Sequence, residues 1–151
     1  MKTIPETEAT APESRTGSSA DRSNASGSSE LKGAHILLVE DSWQLGKAMK
    51  RLLHLLGADV AGPAATTADA ERLVAEHTPD VAIIDINLRN GERSNGLIDR
   101  LHEQRIPVVI VTGYTDVSLP SGRAEAVLQK PVSMQTLLAA LHPIIARKGD
   151  R

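Results

Sequence analysis

Short, uninterrupted apolar runs alternate along this chain with longer stretches in which apolar residues recur every three or four positions. His35–Val39 (HILLV), Val81–Asp85 (VAIID), Pro107–Thr112 (PVVIVT) and Ala126–Gln129 (AVLQ) read as four buried strands, and Asp59–Ala61 as a weaker edge strand. Between them lie helical periods. Ser42 is placed to cap a helix carrying Leu45, Ala48, Met49, Leu52, Leu55 and Leu56 on one face, closed by Gly57. Thr66 or Thr67 caps a second helix that runs to about His77 and cannot pass Pro79. A third lies around Leu97–Gln104. Ser133 caps a last one with Leu137, Leu138, Leu141, Ile144 and Ile145 on one side, where Pro143 is expected to kink or shorten the end. The stretch Thr115–Arg123, with Pro120 and Gly122, leaves room only for a short or mobile fourth helix. Apolar strands separated by amphipathic helices predict a parallel sheet covered on both faces. The expected architecture is an α/β, flavodoxin-like, doubly wound sheet of five strands in the order 2-1-3-4-5 with about five helices.

Composition narrows this picture. Residues 1–32 are dominated by Ser, Thr, Ala, Glu and Gly and offer almost nothing to bury, so they are expected to form a disordered tail ahead of a domain over 33–148. Within residues 1–30, Lys2, Arg15 and Arg22 stand against Glu6, Glu8, Glu13, Asp21 and Glu30, which accounts for the whole net charge of −2. The rest is neutral and carries no basic surface of the kind that binds nucleic acid. The opening MKTIPETEATAPES lacks an apolar signal core, and no apolar stretch approaches the roughly 20 residues that span a bilayer. With no cysteine there is no disulfide or thiolate metal site. A soluble, cytoplasmic protein without membrane or nucleic-acid partners is expected.

The chemistry sits where the strands end. Open parallel sheets form their sites outside the carboxyl ends of the strands, and the polar residues there are Glu40 and Asp41, Asp85, Thr112 and Lys130. One strand ending in a polar residue is ordinary; this set at the ends of all four apolar runs is not. Three carboxylates crowded together call for a divalent cation. With oxygen donors only, Mg²⁺ is the natural ion. A lysine and a threonine hydroxyl opposite them suit a phosphoryl group, and an aspartate can be the nucleophile that accepts it. His35, His54, His77, His102 and His142 are scattered without ligand spacing and receive no role, and Trp43 reads as a partly exposed surface ring.

The motifs ILLVED (36–41), VAIID (81–85), VTGY (111–114) and VLQKPV (127–132), in this order and spacing, resemble the receiver domain of bacterial response regulators over about residues 34–147. The resemblance implies a phosphoacceptor role for Asp85, with Asp41 as direct Mg²⁺ ligand and Glu40 acting through water. It also implies a metal-facing backbone carbonyl at Asn87, a phosphoryl-bound hydroxyl at Thr112, and a phosphoryl-oxygen contact at Lys130. The implied partners are a sensor histidine kinase and either a downstream protein or a phosphotransferase that shares the phosphate. The family usually has Tyr or Phe three residues before the lysine, where this chain has Val127. Thr112-Gly113-Tyr114 and the Gly-Glu after DINL resemble instead an alphaproteobacterial subfamily, whose kinases are often of the histidine-tryptophan-glutamate type. That points to Tyr114 and the following loop as the switch. The expected function is a stand-alone response regulator that is not an enzyme in its own right. A degenerate receiver binding partners without phosphorylation is the alternative, and the intact acid, Thr and Lys set speaks against it. An aspartyl-phosphate phosphatase would need a DxDx[TV] pattern after the first strand, which VEDSW does not match.

Overall fold

Three strands carry no alternation at all, and the computed structural model shows why. It describes residues 30–86, 94–113 and 123–149. There β1 (His35–Val39), β3 (Val81–Asp85) and β4 (Val108–Thr112) form the middle of a five-stranded sheet. All residues of β3 and β4 are buried, because helices cover both faces. With β2 (Asp59–Ala64) and β5 (Ala126–Gln129) at the edges the order is β2-β1-β3-β4-β5, and every pairing is parallel. This is the expected 2-1-3-4-5 order.

Successive side chains feed two separate cores, as the pleat requires. Leu37, Val39, Ala82, Ile84, Val108 and Ile110 pack against α2 (Thr67–Glu76) and α3 (Asn95–Glu103) through Ala70, Val74, Leu97, Ile98 and Leu101. Ile36, Leu38, Val81, Ile83, Val109 and Val111 pack against α1 (Trp43–Leu55) and α4 (Met134–Gly149) through Leu53, Leu137, Leu141 and Ile144. Oxygens of Ser42, Thr66 and Ser133 accept the N–H of Leu45, Asp69 and Thr136 at 3.3, 3.1 and 3.1 Å, so each expected cap forms. None of the described helices is long and apolar enough to cross a membrane.

Five expectations change. The last strand, β5, is not fully buried: as an edge strand it alternates half-buried Ala126 and Leu128 with exposed Val127 and Gln129. The edge strand β2 runs on to Ala64, whose carbonyl accepts the Glu40 N–H at 2.9 Å. The inner face of α1 is rotated from the expected one. Gly46 and Leu53 are its buried residues, with Met49 and Leu56 half-buried beside them, while Leu45, Leu52 and Leu55 are exposed. Gly46 sets this phase, since a Cβ there would lie 2.7 Å from the Pro63 ring. Pro143 does not shorten α4, which continues to Gly149 and buries Ile144 just beyond it. Leu31, placed within the expected tail, is instead buried: it is 0% exposed, its N–H donates to the Leu56 carbonyl at 2.9 Å, and it packs in the α1/α4 core. The expected short fourth helix lies outside the described residues.

Two truncations test the α1 phase and the tail boundary together. Leu31→Ala should cost about 2–5 kcal/mol in urea unfolding, as for a fully buried leucine. Leu52→Ala should stay within about 1 kcal/mol of the parent, as for a surface change.

Candidate functional site

Register assembles the acids. Val39 pairs with Ile84, so the next residues, Glu40 and Asp85, emerge side by side from β1 and β3. Asp41 follows at the start of the turn into α1. One carboxylate oxygen from each of Glu40, Asp41 and Asp85 lies within 4.8 Å of the others. Glu40 and Asp85 are only 4% and 6% exposed, and Asp41 is half-buried. Buried like charges at this spacing repel strongly, and the counter-charge comes from the far side of the sheet. Pairing of β4 with β5 ends at Thr112 and Gln129, and the Lys130 N–H donates to the Thr112 carbonyl at 2.7 Å. That delivers the Lys130 Nζ to 3.1 Å from Glu40 Oε1 and 3.2 Å from Asp85 Oδ2.

Burial pushes the Glu40 carboxyl above the usual carboxylate range. The Ser42 N–H and the Lys130 ammonium oppose the rise, and the charge of Asp85 adds to it. Burial pulls the Lys130 ammonium the other way, but its hydrogen bond to Glu40 and the charges of Glu40 and Asp85 outweigh it, so the amine sits above the usual lysine range. Three carboxylates face one ammonium, and a divalent cation would close the difference. Among the described residues the cluster contains no histidine, and oxygen donors alone suit a hard ion such as Mg²⁺. The donor set therefore fits the expected metal. Both oxygens of Glu40 are already engaged, Oε1 by Lys130 and Oε2 by the Ser42 N–H at 3.1 Å. That engagement suits Glu40 to a role through water.

The structure brings Glu40, Asp41, Asp85 and Lys130 together and buries Thr112 one residue past the Asp85–Val111 pair. Asn87 and Tyr114 lie outside the described residues. Val127 is 48% exposed on β5. One supporting residue escaped the sequence reading. Ser94 is fully buried, and its hydroxyl donates to the Asp85 carbonyl at 2.6 Å while its N–H donates to the Ile86 carbonyl at 3.1 Å. No local pattern in the sequence announces this contact, which ties the start of α3 to the end of β3. Trp43 is exposed as expected, with Lys47 Nζ 4.5 Å from its ring centre.

The profile of the family described as the response regulator receiver domain matches residues 36–142. The chain is 34% identical over 119 residues to the swarming motility regulation protein RssB of Serratia marcescens, covering 75% of this chain and 53% of that protein. It spans about half the length of the curated relatives it matches. Among solved structures it is similar to a response regulator receiver domain protein from Clostridium thermocellum, with TM-score 0.69 and 26% identity over 77% of this chain and 97% of that one. It is also similar to SdrG from Sphingomonas melonis, with TM-score 0.64 and 35% identity over 74% and 96%.

The two displaced titrations predict how stability varies with pH in EDTA. A carboxyl whose folded pKa is raised contributes stability that is full below its unfolded pKa and is lost as pH rises through its folded one. Glu40 therefore weakens the metal-free fold at neutral pH. Lys130 keeps its contribution until pH rises past the ordinary lysine range. Glu40→Gln should raise the urea midpoint at pH 7. The difference from the parent should shrink as pH falls through the Glu40 titration.

Proposed function

This chain belongs to the response regulator receiver domain family of two-component signalling, and from that premise we propose that Asp85 accepts a phosphoryl group from a sensor histidine kinase. The observation that carries this reading is the Lys130 ammonium lodged between Glu40 and Asp85, with the Asp41 carboxylate in the same pocket. An Asp85 oxygen attacks phosphorus in line. The P–O bond of an acyl phosphate forms, and the bond from phosphorus to the donor's imidazole nitrogen breaks. Lys130 already touches the attacked carboxylate and can follow the charge onto a phosphoryl oxygen without crossing the site. Thr112 offers its hydroxyl from the neighbouring strand end. Asp41 and Asp85 would hold Mg²⁺, with Glu40 acting through water and Asn87 giving its carbonyl. When bound, the ion would supply positive charge against the phosphoryl oxygens. Ser94, bonded to the Asp85 carbonyl, keeps the nucleophile's backbone fixed.

The exposed apolar face of α1 supports docking of the donor protein. Leu45, Ala48, Met49 and Leu52 line a groove closed by Val132, Met134 and Leu137 of the neighbouring segment, and the groove opens beside Lys130 and Pro131. We read the output as contact with a further protein, or drainage of phosphate from a shared kinase, in the cytoplasm. Val127 cannot perform the inward swing of an aromatic ring. The Thr112-Gly113-Tyr114 stretch, characteristic of the subfamily with histidine-tryptophan-glutamate kinases, would carry the change instead.

The full chain, incubated with Mg²⁺ and acetyl phosphate, should acquire a hydroxylamine-sensitive phosphoryl adduct. Asp85→Asn should acquire none, and Lys130→Ala should react on the order of 100-fold more slowly. A parent protein left unmodified by both acetyl phosphate and its kinase would instead be a phosphorylation-independent binding module. Leu52→Glu should slow transfer from the kinase while leaving reaction with acetyl phosphate unchanged. Tyr114→Phe should leave phosphorylation intact and alter the phosphate-induced NMR shifts of residues 113–123; normal shifts there would remove its hydroxyl from the switch.

A further inference from the structure

The opposite edge of the sheet holds a second cluster, which the phosphoryl site does not use. Every strand of a parallel α/β sheet starts, and every connecting helix ends, at its amino edge. His35 opens β1 there, directly in register with Asp59, which opens β2. His77 is the residue that ends α2, whose buried face packs over the same strands. The rings of His35 and His77 lie 4.1 Å apart between centres, tilted by 53°, and His35 Nδ1 is 3.2 Å from Asp59 Oδ2. Leu73 and Pro79 complete the walls of a shallow cavity around them, with a volume of about 100 Å³.

Both imidazoles stand on backbone that is tied down. The His35 N–H donates to Asp80 Oδ2 at 2.9 Å, and its carbonyl accepts the Asp80 N–H at 2.7 Å. The Asp59 N–H donates to the Ala34 carbonyl at 2.8 Å, and the His77 N–H to the Leu73 carbonyl at 3.0 Å. Asp59 Oδ2 stands 3.2 Å from His35 Nδ1, so a neutral ring carrying its proton on that side would present the Nε2 lone pair to a ligand. A carboxylate behind a histidine is the usual support of a metal-bound imidazole, because it fixes the tautomer and raises the basicity of the free nitrogen. A second imidazole in ring contact brings another nitrogen donor. Two neutral imidazoles suit a borderline transition ion such as Zn²⁺ far better than Mg²⁺.

We infer that His35 and His77 form a two-imidazole site for a transition-metal cation of the Zn²⁺ class, with Asp59 as the positioning residue. The remaining coordination positions belong to water. Such a clip joins the start of β1 to the end of α2, at the other end of the sheet from the phosphoryl site.

Zinc titration of the full chain in excess Mg²⁺, followed by the imidazole resonances in NMR, tests this. The His35 and His77 signals should move together, while those of His54 and His102 stay in place. His77→Gln, a change at an exposed position, should weaken zinc binding at least about tenfold without altering Mg²⁺-dependent phosphorylation of Asp85. Asp59→Ala should weaken it by about 10- to 100-fold, and Asp59→Asn, which keeps an acceptor for the Nδ1 proton, by less. His35 and His77 signals unmoved up to about 1 mM zinc, or a His77→Gln variant that binds as tightly as the parent, would overturn the assignment.

Discussion

A single ammonium group decides whether the carboxyl ends of these strands can coexist. Glu40 and Asp85 leave adjacent strands in register, nearly without solvent, and at this spacing two ionised carboxylates have no stable arrangement of their own. Lys130 resolves the conflict by touching both. It can do so only if β5 pairs with β4 in the observed register, because the bond from its N–H to the Thr112 carbonyl fixes where the side chain begins. The edge strand has an outer face half open to solvent, so its sequence is governed less by core packing than by the delivery of this one charge.

The same logic explains which parts of the site are rigid. Backbone hydrogen bonds hold each strand end: Glu40 to the Ala64 carbonyl, and Ile86 to the Val111 carbonyl at 3.3 Å. Ser94 adds a bond from outside the sheet to the Asp85 carbonyl, made by a fully buried hydroxyl. The proposed nucleophile, held in this way, would have little positional entropy left to lose when a donor arrives. Asp41 is half-buried in the turn ahead of the Ser42 cap, on the side of the pocket open to the proposed ion.

The architecture and the pocket were legible in the sequence because each rests on a strong local signal. Apolar runs without alternation mean a sheet covered on both sides, and VAIID places its one acid at the carboxyl end of such a run. What escaped depended on phase or on distance. Apolar residues occupy so much of the circumference of α1 that periodicity alone cannot choose its inner face, and contact between Gly46 and Pro63 makes the choice. Leu31 looked like the end of a polar tail because a single apolar residue carries no period. It is buried in the core that also holds Leu53, Leu141 and Ile144, far along the chain. Ser94 and the His35–His77 pair are likewise contacts across elements. The histidine pair was nevertheless open to a topological argument, since a strand start and a helix end share one edge of any such sheet.

Val127 constrains how a signal could leave the phosphoryl site. A β-branched side chain on a strand has few χ1 choices, and this one is already half outside, so it has no inward position to vacate or occupy. Thr112 is buried at the end of β4, between the Asp85 strand and the edge strand that supplies Lys130. Drawing its hydroxyl toward a phosphoryl group would pull on backbone that continues directly into Gly113. Among the described residues, chain neighbours aside, no atom lies within 4 Å of where a Gly113 Cβ would sit. In the proposed switch, a pull on Thr112 would pass along the main chain into Gly113 more readily than across β5 through the Val127 side chain.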